Sequence, residues 1–212
     1  MATRKAIVSR REDDLFDHYN DLNYVDGRFL AYVSRYKFPR NEKLRVFKAL
    51  DFAKLAHNGQ TRDEGPPYVI HPIRVANILM HELMTMKADM ICAALLHDVI
   101  EDCDITVREI KNNFNETVAQ MVKLLTKDPK LVNAKRVYFQ AIVAADESVR
   151  LLKLCDRLDN LRSLRQSQNK SKIRRYVTES EKRYLPLADD LNRYLFKEIR
   201  HEISFLKNKL RK

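Results

Sequence analysis

Three glycines and six prolines in 212 residues are too few to turn a chain as often as an all-β fold requires, which is about every 8–12 positions. The scarcity points to helices, and the apolar spacing agrees. In "EKLRVFKALDFAKLAH", Leu44, Phe47, Leu50, Phe52 and Leu55 recur at helical intervals, with Asn41 placed to cap the segment. Other helices are predicted over 13–36 (broken near "YVDGR"), 72–84, 87–101, 106–126, 130–145, 146–166, 169–183 and 185–210. Thr106 and Glu109 have the spacing of a capping box. Residues 58–70, "NGQTRDEGPPYVI", read as a loop, with Pro72 in the first turn of the next helix and His71 just before it. Residues 1–11 read as frayed. Apolar residues make up 45%, enough for a core. The expected architecture is an all-α multi-helix bundle over 41–212, preceded by an N-terminal helical extension over 1–40.

Charge narrows the function classes. The net charge is +11, and residues 150–212 carry 18 Lys/Arg against 8 Asp/Glu while residues 1–149 hold 22 against 21. A basic final third attracts polyanions such as nucleic acid, anionic lipid or a small polyphosphate; it also reads as a solvated helix surface. Cys92, Cys103 and Cys155 are odd in number and form no CxxC pair, against a disulfide framework or zinc finger; Cys92 and Cys155 read as small core residues. No apolar run approaches the ~20 residues of a membrane span, and the first residues lack a signal-type apolar stretch. A soluble, cytoplasmic protein is expected.

The stretch "AALLHDVIEDCD" (93–104) runs from apolar to acidic within one predicted helix. Four-residue spacing places His97 over Glu101 and Asp98 over Asp102. Carboxylates at a buried helix C-terminus face the negative end of the dipole, so the group calls for compensating positive charge, and a divalent metal supplies it economically. His71, and Asp156 in "LLKLCDRLDNLRSL", are candidates to complete the site. Asp156, Asn160 and Ser163 share a helix face. Taken singly, each histidine reads as a hydrogen-bonded core residue and each aspartate as a cap or ion-pair partner. Together they form a nitrogen–oxygen set without thiolate, which suits Mn²⁺ or Fe²⁺ and permits Zn²⁺.

In order and spacing, "HNGQTRDEGPPYVIHPIRVANIL", "AALLHDVIEDCDIT" and "LLKLCDRLDNLRSL" resemble the HD-superfamily hydrolase domain of the Rel/Spo alarmone enzymes, over about residues 41–190. The resemblance implies an HD-domain bundle and Mn²⁺-dependent hydrolysis of guanosine 3′,5′-bis(diphosphate), or its 5′-triphosphate form, to pyrophosphate and GDP or GTP. With 212 residues the chain most resembles a stand-alone small hydrolase without a synthetase. It further implies His71, His97, Asp98 and Asp156 as metal ligands, and Glu101 and Asp102 as the acidic pair that orients and deprotonates water. Arg62, Tyr68, Lys153, Asn160 and Ser163 are implied as substrate-binding, with Arg157 as a helper; alternatively Tyr68 only packs, and Lys153, Arg157 and Arg162 are solvated surface charges.

Two departures from the family pattern bear on the pocket. Asp63 and Glu64 follow Arg62 where a second basic residue is usual, and they repel polyphosphate unless they point away or pair with a base. Asp159 stands where a ring residue is usual, three residues after Asp156, placed to add a carboxylate outside the ligand set. Cys103 stands where Thr is common. These departures keep open a related hydrolase acting on NADPH, an adenosine analogue of the alarmone or a simpler nucleotide. A non-catalytic RNA- or protein-binding module is disfavoured: it has no use for the acidic constellation, and the tail aromatics Tyr176, Tyr184, Tyr194, Phe196 and Phe205 are spaced for helix packing rather than base stacking.

Overall fold

A nine-residue helix that exposes almost nothing organises the molecule. In the computed structural model, which describes residues 16–63 and 65–212, Ala88–Leu96 is buried from end to end except at Asp89. A helix that is apolar nearly all round is stable only when other helices cover it on almost every side. Its neighbours in sequence order are α1 (Leu22–Arg35), α2 (Arg40–Ala56) and α3 (Ile70–Asn77), which runs into a π-helical turn at Ile78–Glu82; the central helix is α4. Then follow α5 (Val99–Asp102), α6 (Val107–Asn113), α7 (Glu116–Leu125), α8 (Ala134–Ala144), α9 (Glu147–Ser163) and α10 (Lys170–Glu179). A second π-helical turn at Ser180–Tyr184 leads to α11 (Leu185–Leu191) and α12 (Arg193–Arg211). Helices α2, α3, α7 and α9 all pack on α4. The all-α expectation holds, with only an isolated bridge between Thr61 and Pro67 among the described residues.

Several boundaries differ from the sequence expectations, for local reasons. Helix α1 begins at Leu22 because the Asp21 carboxylate accepts from the Asn23 and Tyr24 amides, and it runs unbroken through Gly27. Val25, Phe29, Tyr32 and Val33 hold it in the common core, which outweighs the ~1 kcal/mol a helical glycine costs. The expected 106–126 helix is two helices, since Asn115 caps α7 by accepting from Val118. Likewise Asn192 caps α12 and divides 185–210. Pro39, not Asn41, precedes α2, and α3 starts at Ile70, so His71 lies inside its first turn. The capping box at Thr106 and Glu109 is present. Cys92 and Cys155 are buried thiols, and Cys103 is half-buried. Among the described residues no helix is long and apolar enough to cross a membrane. The expectations for residues 1–15 and for Glu64 lie outside the described residues.

Candidate active site

The acidic stretch does not stay in one helix. Helix α4 stops at Leu96, and His97 and Asp98 form a turn before α5. His97 donates its Nδ1 hydrogen to the Ala94 carbonyl, 2.8 Å away, a local bond that favours the turn. Consecutive residues of a regular helix point about 100° apart. The turn instead brings His97 Nε2 within 3.2 Å of Asp98 Oδ2. His71, from α3, places Nε2 at 3.2 Å from Asp156 Oδ1 and 3.6 Å from Asp98 Oδ2. His71, His97 and Asp156 each offer an atom within 4.8 Å of the others, and all three are buried.

The donor set fits a divalent cation. With the His97 Nδ1 hydrogen committed to Ala94, Nε2 presents a lone pair towards Asp98 and towards Asp156 at 3.8 Å, and no hydrogen bond satisfies it. A buried lone pair facing two carboxylates is unfavourable until a cation stands between them. The field shows the same demand: burial alone lowers the His97 pKa, yet Asp98 and then Asp156 lift it to about 9, so in the metal-free protein a proton on Nε2 takes the place that a metal cation would fill. His71 is held from behind, its Nδ1 lying 2.6 Å from Asp159 Oδ2. Two imidazole nitrogens with carboxylate oxygens make an intermediate-to-hard site.

Above these groups opens a cavity of about 490 Å³. Asp102 and Glu101 stand at its lip. The Tyr68 hydroxyl lies 2.7 Å from Asp102 Oδ2 and 2.8 Å from Asp98 Oδ2, and its ring stacks on His57. Burial raises the Asp102 carboxyl pKa, and the adjacent Asp98 charge adds to the rise against the Tyr68 hydrogen bond. Glu101 pairs with Lys127 at 2.7 Å. Arg62 donates to Asn160 Oδ1 at 3.1 Å, while Asn160 donates to the Asp156 carbonyl and carboxylate. Asp63 pairs with Lys172 at 2.6 Å, so the acid after Arg62 is tied to a base from α10.

Four residues are placed otherwise than the sequence reading, or its surface-charge alternative, had them. Ser163 is buried below the cavity and not on its wall, accepting from Arg74 at 3.0 Å. Arg157 and Arg162 are not solvated surface charges: both are buried, paired with Glu179 and with Glu82 and Glu198 respectively. Lys153, its side chain only 14% exposed, bonds Asp156 Oδ2 at 2.7 Å. The cavity wall also holds residues the sequence did not single out, among them Lys127, Lys135, Tyr138, Arg175, Glu179 and Arg183. One missed residue carried a signal. Arg74 follows His71 by three positions as Asp159 follows Asp156, and one helical turn carries each pair to the same place.

An HD-domain family model matches residues 49–192. The guanosine-3′,5′-bis(diphosphate) 3′-pyrophosphohydrolase of Vibrio cholerae serotype O1 is 38% identical over 175 residues, which is 79% of this chain and 24% of that protein. The Homo sapiens guanosine-3′,5′-bis(diphosphate) 3′-pyrophosphohydrolase MESH1 is 40% identical over 128 residues, 58% of this chain and 72% of that protein. This chain therefore spans about a quarter of the length of the bacterial relatives. Among solved structures, a metazoan ortholog of SpoT described as hydrolysing ppGpp superimposes with a TM-score of 0.70 at 27% identity, over 82% of this chain and 99% of that one.

Proposed function

The chain belongs to the HD-domain family, and from that premise we propose that it hydrolyses guanosine 3′,5′-bis(diphosphate), or its 5′-triphosphate form, at the 3′ position. The observation that carries the reading is the convergence of His71, His97 and Asp156, two of which, His71 and Asp156, line a cavity with basic walls. Those three residues and Asp98 would hold a divalent ion, Mn²⁺ by preference, with Fe²⁺ or Zn²⁺ also suited to the donor set. When bound, such an ion supplies Lewis acidity and neutralises phosphate oxygens.

The chain's own residues supply the rest. Asp102, with its raised pKa, takes a proton from the attacking water, as a general base tuned towards the operating pH does. Glu101, held by Lys127, orients that water. The water oxygen bonds the 3′-linked phosphorus and the bond from phosphorus to the nucleotide 3′ oxygen breaks. That oxygen takes a proton, leaving GDP or GTP and pyrophosphate. Arg62, Tyr68, Lys153 and Asn160 position the nucleotide and its phosphates, and Ser163 supports Arg62 from below, 3.5 Å from Nη2. Fixed donors aimed at developing charge are worth most in a site shielded from water. The basic rim draws a polyanion from a cytoplasmic nucleotide pool.

The test is product analysis after mixing the protein with guanosine 3′,5′-bis(diphosphate), once with Mn²⁺ and once with EDTA. GDP and pyrophosphate that form with Mn²⁺ and vanish with EDTA are expected. Turnover of NADPH alone, with release of orthophosphate, would move the activity to a related nucleotide.

A further inference from the structure

Tyr19 precedes α1 and lies outside the segment matched by the HD-domain family model, yet its hydroxyl ends in the centre of the molecule. It donates to Asp159 Oδ1 at 2.6 Å. The other oxygen of the same carboxylate lies 2.6 Å from His71 Nδ1. Arg74 completes the arrangement, donating from Nε to Oδ1 at 2.8 Å and from Nη2 to Oδ2 at 3.1 Å. Arg74 also grips Tyr19 itself. Its Nη1 donates to the Tyr19 carbonyl at 3.0 Å, and its guanidinium carbon lies 3.9 Å from the Tyr19 ring centroid. Asp159 is 0% exposed.

We infer that Tyr19 and Asp159 form a positioning relay that fixes the tautomer and ring orientation of His71, making the segment before α1 part of the metal site. The inference rests on the functional reading above. The chemistry of the carboxylate decides it. Each Asp159 oxygen already faces one donor from Arg74, and Oδ1 a second from Tyr19, so Asp159 turns no free oxygen towards the ligand atoms. An ionised carboxylate 2.6 Å from Nδ1 requires the hydrogen on that nitrogen. The His71 lone pair then sits on Nε2, the atom that faces Asp156, Asp98 and the His97 ring. Carboxylates behind metal-binding histidines act in this way, and their loss weakens metal affinity by about 10- to 100-fold. Here the carboxylate is itself aimed by a hydroxyl from the other end of the chain.

The test is titration of the metal-free protein with Mn²⁺ by calorimetry, without substrate, beside thermal melts in EDTA. Asp159→Asn is expected to weaken Mn²⁺ binding roughly 10- to 100-fold, and Tyr19→Phe by roughly 3- to 10-fold. Asp21→Ala, which removes the α1 cap without touching the relay, should lower the melting temperature and leave Mn²⁺ affinity unchanged. Equal affinity for wild type and Tyr19→Phe would overturn the relay while leaving the metal site standing. Equal weakening by Asp21→Ala would reduce Tyr19 to a stability role and overturn it also. A wild-type protein that binds no divalent ion would remove the functional reading and the relay together. ¹⁵N NMR of the wild-type imidazoles gives a readout that needs no variant: a hydrogen on Nδ1 of His71 is expected, and one on Nε2 alone contradicts the relay.

Discussion

On α9, Asp156 and Asp159 are 5% and 0% exposed, and both meet several donors: Lys153 and Asn160 at Asp156, Tyr19, Arg74 and His71 at Asp159. On α5, Glu101 and Asp102 face the same cavity from its open lip. Glu101 is tied to Lys127 and Asp102 to the Tyr68 hydroxyl. Burial sets the two pairs apart. An interior carboxylate must stay charged and satisfied, so the α9 pair is committed to holding other groups in place. The lip pair is lightly tied and near solvent, and Asp102 has a pKa shifted upward, which is what a group that takes and returns a proton needs. Substitutions in the α9 pair should damage binding and stability together, and substitutions in the lip pair should damage rate alone.

The largest effect is expected at Asp156. Asp156→Ala removes an oxygen from the proposed ligand set and strands Lys153 beside an empty position. Breaking a buried pair from one side costs about 3–5 kcal/mol, so the metal-free melting temperature should fall and calorimetric Mn²⁺ binding should disappear. Next comes the lip. Asp102→Asn keeps shape and hydrogen-bonding capacity but cannot take a proton, and should lower kcat by about 10²–10⁴-fold with metal affinity and melting temperature near wild type. Glu101→Gln should cost less, because it loses only an exposed pair with Lys127 worth about 0–1 kcal/mol and the orientation of one water. A large loss of stability in Asp102→Asn would erase the distinction between the two pairs.

The same contrast explains what could be read without coordinates. The convergence of His71, His97 and Asp156 was legible because each follows or interrupts an apolar run, and a polar group there must be buried and in need of partners. The helix breaks at Asn115 and Asn192 were not, because the buried apolar residues on either side, Ile110 and Val118 at the first and Ala188 and Leu195 at the second, keep a spacing that fits one continuous helix. The Asn side chains accepting from Val118 and Leu195 were the local clue, outweighed by that spacing. The turn at His97 and Asp98 was hidden for a related reason: nothing in "LLHDVIED" breaks a helix, and the His97 bond to the Ala94 carbonyl leaves no mark in the sequence. Arg74 was findable from its spacing to His71. Tyr19 was not, because 140 residues separate it from Asp159, and only the packing of α1 on α3 brings the two together.

The smallest expected effect concerns the mouth of the cavity. Asp63 is 71% exposed at its side chain, and its Lys172 partner lowers its carboxyl pKa. An exposed pair of this kind contributes at most about 1 kcal/mol, so Asp63→Ala should leave the melting temperature almost unchanged. Its influence on substrate is one of long-range charge. A unit charge about 10 Å away in water contributes about 0.4 kcal/mol per substrate charge before screening, and salt reduces this over a Debye length of about 8 Å. For a substrate with several negative charges, Asp63→Ala should therefore lower KM by roughly two- to fivefold at low ionic strength, with kcat unchanged and the gain fading in high salt. A change in kcat instead would mean that the loop holding Arg62 is coupled to the lip carboxylates, and the boundary between the binding wall and the reacting groups would have to be redrawn there.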